Sequence, residues 1–171
     1  MSLCVIPGSF DPVTRGHVDL IIRASRLFDR VVVAVLHNPD KAGWLTFNQR
    51  IELLKAVFGE SSNVTNGNGI DIQGFEGLLV DFAAAIGADA VVRGVRTTVD
   101  FEYESSMAVM NRELSGDAGL ETIFLPANPA LAHLSSSIAR QVAVFGGSLD
   151  KIIPNESLGL LKQFIQDNKG K

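Results

Sequence analysis

The sequence holds a single cysteine, Cys4, inside an apolar run. A disulfide framework within the chain is excluded, as is a zinc site built on several cysteines. Cys4 reads instead as a small buried hydrophobe. No apolar run approaches membrane-spanning length. The N-terminus lacks the charged-then-apolar pattern of a secretion signal, so the expected location is the cytoplasm. Without export, the sequons at Asn63 and Asn155 carry no meaning. Basic charge is not in excess either: the formal net charge is −4 over 171 residues. That makes non-specific nucleic-acid binding a poor expectation, although a local basic site stays possible. There is no Walker A sequence, no Rossmann glycine fingerprint and no serine-centred nucleophile elbow. Repeats, low-complexity tracts and linkers are also missing, which leaves one domain over 1–171.

What is present is an alternation of strand and helix patterns. Strands are expected at 3–7, 31–37, 70–75, 89–95 and 120–127. The run "VVVAVLH" is β-branched and continuous, as a strand buried on both faces should be. Helices are expected at 18–28, 46–58, 78–87, 99–114, 136–147 and 154–168. Thr46 and Gln49 form a capping-box pattern, and Gly59 lies just past that helix. On the fourth helix Val99, Tyr103, Ser106 and Met110 share a face, and the last helix carries a stripe of Leu158, Leu161 and Ile165. A repeated β–α order predicts an α/β fold, a Rossmann-like, doubly wound, five-stranded parallel sheet with helices on both faces. The last helix would pack on that domain. Ligands of such sheets bind beyond the carboxyl ends of the strands, so the residues after each strand are the ones to read.

After the first strand comes "PGSFDPVTRGH", Pro7 to His17. Its glycines and prolines allow a tight path and close backbone approach to a ligand. His17 opens the next helix, where unsatisfied N–H groups favour anions. It shares a face with Ile21, Ala24 and Phe28, which would set the ring above the strand ends; a histidine merely satisfied at a helix terminus is the alternative. After the second strand Lys41 is the only cation in its loop. After the third, "GFEGLL" could line a pocket or pack in the core. After the fourth, Arg93 and Arg96 flank Gly94, where a bidentate phosphate or carboxylate is the natural partner. Asp100, Glu102 and Glu104 could supply that partner internally. After the fifth, Ser135, Ser136 and Ser137 begin a helix, and three hydroxyls exceed what one N-cap needs. Together these strand ends describe a site for several phosphates.

The pattern resembles a known family. "PGSFDPVTRGH" and "SSSIAR" resemble the first and second motifs of the TxGH/HxGH nucleotidyltransferases. Lys41, "GF..LL", "RGVRTTVDFEYE" and "MNREL" narrow the resemblance to the bacterial-type phosphopantetheine adenylyltransferases, over nearly the whole chain. The resemblance implies transfer of AMP from ATP to 4′-phosphopantetheine, giving dephospho-coenzyme A and pyrophosphate, the penultimate step of coenzyme A synthesis. It implies Mg2+ with ATP as substrate, coenzyme A as feedback inhibitor at the same site, a homohexamer, and neither nucleic-acid nor membrane partners. No side chain is assigned as a metal ligand.

By position, His17, Lys41 and Arg93 would form the catalytic set, with His17 at the α-phosphate. Ser9 would touch the phosphates of both substrates. Phe10, Gly94, Val95, Arg96 and Glu104 would hold ATP, as would Leu131, Ala132, His133, Leu134, Ser135, Ser136 and Ser137. Lys41 and Arg93 would hold the phosphate of phosphopantetheine, and Leu78 and Leu79 its pantetheine arm. Three positions depart from the family pattern. Ser9 stands where Thr is usual, Ile6 where Tyr is common, and "LAHLSSS" where aromatic or Thr residues are frequent. The Asn/Gly-rich stretch at 65–71 looks like a local insertion. Other nucleotidyltransferases, such as nicotinate mononucleotide adenylyltransferases and cytidylyltransferases, share the first motif, and a non-catalytic nucleotide-binding regulator would need neither His17 nor Lys41.

Overall fold

The structure, a computed structural model, describes residues 1–38, 43–59, 62–64, 68–116 and 119–169. Lys41 and part of the Asn/Gly-rich stretch, 65–67, lie outside the described residues. Five parallel strands form the sheet as expected: β1 (Leu3–Gly8), β2 (Arg30–Leu36), β4 (Asn68–Phe75), β5 (Ala90–Val95) and β6 (Glu121–Pro126). A sixth, β3 (Ser62–Val64), pairs antiparallel with the start of β4, giving the order β3-β4-β2-β1-β5-β6. The sequence reading did not separate it, because three residues are too few to show a period.

From β1 the chain builds outward to β2 and β4, then returns to β1's other side with β5 and β6. The order therefore reverses beside β1, and the crevice at the carboxyl ends of β1 and β5 is where a ligand belongs.

Strand alternation explains how the sheet is covered. On β2, Val31, Val33 and Val35 enter the main core. With them are Ile21 of α1 (Arg15–Ala24), Leu53 and Leu54 of α2 (Phe47–Phe58), Ala139 of α5 (Ser136–Val144) and Leu161 of α6 (Asn155–Lys169). Val32 and Ala34 face the other way, against Phe75 and Phe82, the latter on α3 (Leu79–Ile86). Burying β2 on both faces is what its unbroken β-branched run requires.

Helix bounds shift where caps decide them. The first helix begins at Arg15 rather than at 18, because Thr14 caps it, and it ends at Ala24 rather than 28. The fifth ends at Val144 rather than 147. α4 (Thr98–Leu114) differs from every other helix in having no buried residue. It leans on the sheet through Phe101, whose ring meets Phe124 edge-on at 5.3 Å.

Candidate active site

The crevice beside β1 is a cavity of about 370 Å³. Its floor is the end of β1. Phe10 takes φ 47°, a left-handed conformation unusual for a bulky residue, and its ring is buried. Gly8 makes room for that ring: a Cβ there would stand 3.0 Å from Phe10 Cε2 and Cζ. Among the described residues nothing accepts from the amides of Ser9 or Phe10. Strain of this kind, on the order of 1–3 kcal/mol, collects at functional sites.

"TRGH" is a capping box. His17 N–H donates to Thr14 Oγ1 at 3.4 Å, and the Thr14 amide donates to His17 Nδ1 at 3.0 Å. A backbone amide can only donate, so Nδ1 is the accepting nitrogen. The neutral ring therefore carries its proton on Nε2. The Phe10 ring meets His17 edge-on at 5.1 Å and fixes the imidazole from the side. Burial first, then Arg96 and Arg93, lower the pKa of His17 to about 4. At neutral pH the cavity thus holds an uncharged imidazole presenting one Nε2–H at a helix N-terminus.

Arg93 and Arg96 enter from the end of β5. The sequence reading favoured a ligand as their partner; in the structure both have carboxylates. Arg93 forms a fork with Glu104, at 2.7 Å from Nε and 2.5 Å from Nη2, and its Nη1 donates to Pro7 O at 2.7 Å. Arg96 Nε donates to Asp100 Oδ2 at 3.0 Å. The guanidiniums still line the cavity. Glu104 serves here as Arg93's counter-ion and is not part of the wall.

The three serines divide their work. Ser135 caps α5 through the Ile138 amide at 3.1 Å. Ser136 Oγ donates to Pro12 O at 2.8 Å, and Ser137 Oγ accepts from Arg140 at 3.1 Å. Arg140 also donates to Asp11 O at 2.6 Å. Asp11, 6% exposed, accepts the amides of Trp44 and Leu45 at 2.8 and 2.9 Å. A carboxylate with two amide donors is well satisfied though buried. One buried residue therefore ties the loop before α2 to the end of β1, while Arg140 ties α5 to the same place.

Ser9, Phe10, His17, Arg93, Gly94, Arg96, Leu131, Leu134 and the three serines all line this one cavity. Val95, Ala132, His133, Leu78 and Leu79 do not. Leu78 is an exposed N-cap, and Leu79 packs between α3 and the sheet. Sequence reasoning missed Thr14, Asp19, Arg23 and Arg140. Thr14 was legible, since Thr followed three residues later by a hydrogen-bonding side chain at a helix start is a capping pattern. Arg23 Nη1 reaches Pro126 O at 2.7 Å and Asp19 at 3.4 Å, contacts that no local spacing announces. Among the described residues Asp19 is the one acidic residue in the lining, against Arg23, Arg93, Arg96 and Arg140. The wall is built for anions.

Comparison with known proteins agrees. Residues 5–142 match the cytidylyltransferase-like family. The chain is 42% identical to the phosphopantetheine adenylyltransferase of Clostridium botulinum strain Hall, over 99% of this chain and 98% of that one. It is also 42% identical to the phosphopantetheine adenylyltransferase of Clostridium kluyveri, over 96% of each. Among solved structures, the nicotinic acid mononucleotide adenylyltransferase of Plasmodium falciparum complexed with NaAD superposes with a TM-score of 0.67 at 15% identity, covering 95% of each chain, which bears on the fold alone. The chain belongs to the cytidylyltransferase-like family and, within it, to the phosphopantetheine adenylyltransferases.

Proposed function

We propose that this chain transfers AMP from ATP to 4′-phosphopantetheine, forming dephospho-coenzyme A and pyrophosphate. The observation that carries the reading is the lock on His17: its Nδ1 is occupied by the Thr14 amide, so Nε2–H is a fixed donor inside a cavity lined by arginines.

The nucleophile is a phosphate oxygen of phosphopantetheine. Its second pKa is about 6, so at neutral pH it needs no base. The protein's work is to bring two polyanions together in line and to stabilise charge on the α-phosphate and on departing pyrophosphate. His17 Nε2–H, the amides of Ser9 and Phe10 and the N-terminus of α5 do this from preset positions. Arg96, Gly94 and the 131–137 segment hold ATP. Arg93 takes the acceptor's phosphate by sharing or leaving Glu104, and Lys41 assists from its loop. Leu78 and Leu79 line the path of the pantetheine arm.

Magnesium arrives on the triphosphate and neutralises charge there. A wall of arginines and hydroxyls with Asp19 as its one carboxylate among the described residues suits an ion carried in by the nucleotide. Coenzyme A contains the product's parts plus one phosphate, so it competes in the same cavity. The assembly is a homohexamer in the cytoplasm, built from one domain over 1–171. Apolar side chains exposed on α4 support association: Val99 is 74% exposed and Tyr103 64%.

The test is pyrophosphate release from ATP and Mg2+, with and without 4′-phosphopantetheine, for the wild type and His17→Ala. Release that requires phosphopantetheine and collapses in the variant is expected. Release with a different acceptor alone would keep the scaffold and change the substrate.

A further inference from the structure

α2 buries a cation in an expensive place. Arg50 is 8% exposed and sits in the first turn of its helix, where the dipole opposes positive charge. It has no carboxylate within salt-bridge distance among the described residues. Asp11 lies close enough to favour its charge, but both carboxylate oxygens of Asp11 accept from Trp44 and Leu45. Among the described residues Arg50 Nε has no hydrogen-bond partner. The guanidinium lies 5.7 Å from the centroid of the Phe47 ring. A buried charge without an ionic partner is weak evidence for a stabilising role.

What Arg50 does hold is two carbonyls. Nη1 donates to Ser9 O at 2.9 Å and to Leu36 O at 3.1 Å. In the β1–β2 ladder the last pair is Gly8 with Val35, so this one nitrogen joins the two strands just beyond that ladder. In a planar trans peptide the carbonyl and the following amide point in opposite directions. Fixing Ser9 O toward Arg50 therefore aims the Phe10 amide away from it. Ser9 lines the cavity whereas Arg50 does not. The carbonyl that would repel an anion is engaged from behind, and the unpartnered amide is turned the other way.

We propose that Arg50 is a positioning residue for phosphate binding at the end of β1: it clamps the Ser9 carbonyl so that the Phe10 amide and the Ser9 hydroxyl meet the substrate's phosphate. The inference rests on the nucleotidyl-transfer reading and adds to it a residue outside the cavity wall. Arg50→Met removes charge and donor together. Arg50→Lys keeps the charge and loses the planar fork.

The experiment measures binding of inorganic tripolyphosphate by calorimetry, kcat in the forward reaction, and thermal midpoints, on the full chain. For Arg50→Met the expected result is about tenfold weaker tripolyphosphate binding and about 100-fold lower kcat, with the chain still folded at the assay temperature and its midpoint lowered only by the two carbonyls left without a donor. Arg50→Lys should lose about tenfold in kcat. Loss of activity in a variant that stays folded at the assay temperature is what a merely structural residue would not give. Should Arg50→Met not fold, Arg50→Lys decides. Binding and kcat within twofold of wild type in a folded variant would overturn the proposal, as would a loss of activity that only follows a fall in midpoint. If the wild type itself does not bind tripolyphosphate, the reading of the cavity fails first, and the role of Arg50 with it.

Discussion

Two strand ends face each other across the cavity, and they are built in opposite ways. At β1 the polar groups are fixed by backbone and, among the described residues, left without ionic partners: the amides of Ser9 and Phe10, and Nε2 of a neutral His17. At β5 the groups are charged and already neutralised, Arg93 by Glu104 and Arg96 by Asp100. The first side can receive a developing negative charge without reorganising, which is the condition under which such donors contribute most. The second side must exchange or share a carboxylate when phosphate arrives. Preset donors suit the reacting phosphorus, while exchangeable arginines suit substrates that have to enter and leave.

The sharpest way to break the comparison is to remove the fixed donor. His17→Ala should lower kcat by roughly 100- to 1000-fold and leave the fold intact, because Thr14 Oγ1 still accepts from the amide at position 17 and the core residue Ile21 remains. A variant with near-wild-type kcat at an unchanged circular-dichroism spectrum would show that β1's side does not carry the chemistry.

Removing an exchangeable arginine should act differently. Arg93→Ala should reduce kcat/KM for phosphopantetheine by about 10- to 100-fold, in line with losing one charge-assisted phosphate contact at about 1.5–3 kcal/mol. It should also destabilise the chain, because Glu104, 14% exposed at its side chain, is left without its fork. Glu104→Gln in the same background should recover stability but not kcat/KM. Thermal midpoints beside steady-state kinetics for the two variants separate these effects.

The same contrast marks what could be read in advance. β2 was plain because "VVVAVL" is β-branched throughout and must be buried on both faces. α2 was plain because Thr46, Gln49 and Gly59 mark its ends. Ser9, His17 and the serines were found because topology sends strand ends to one crevice. The partners of the arginines were harder. Asp100 stands four residues from Arg96, a helical spacing, but Glu104 is eleven from Arg93 and reaches it only through the packing of α4 on β5. Contacts between Arg140 and Asp11, or Arg50 and Ser9, span 129 and 41 residues and leave no periodic trace. Nor does apolar spacing say what a helix packs against. α4 has its stripe, yet Val99, Tyr103 and Met110 are exposed.

pH sharpens the comparison further. The folded-state pKa of His17 is lowered to about 4 from 6.5, with burial as the main cause. Between these values the unfolded chain takes up a proton that the folded chain does not. Stability from this group is therefore fully present above about pH 6.5 and falls as pH drops toward 4. Melting midpoints of wild type and His17→Gln should converge over that window, the wild type losing more. Catalysis should not show a limb at pH 6.5 from His17. The acid limb of kcat/KM for phosphopantetheine should instead follow the substrate's own phosphate, near pH 6. A basic limb, with activity lost as pH rises, that disappears in His17→Gln would mean that the imidazole acts charged.

The smallest effect tests the most specific point about β1. Thr14 serves His17 twice, through its amide to Nδ1 and through Oγ1 from the His17 amide. Only the second contact is lost in Thr14→Ala. The cap should therefore cost about 1 kcal/mol, read as a lower denaturation midpoint, while kcat changes by no more than about threefold because the backbone amide still sets the tautomer. Thr14→Pro removes that amide and, with it, the reason for Nδ1 to accept; it should lose activity on the scale of His17→Ala if the chain still folds. Equal activity loss in Thr14→Ala would place the control of His17 in the hydroxyl, and β1's side would then depend on a side chain as rotatable as those opposite it at β5.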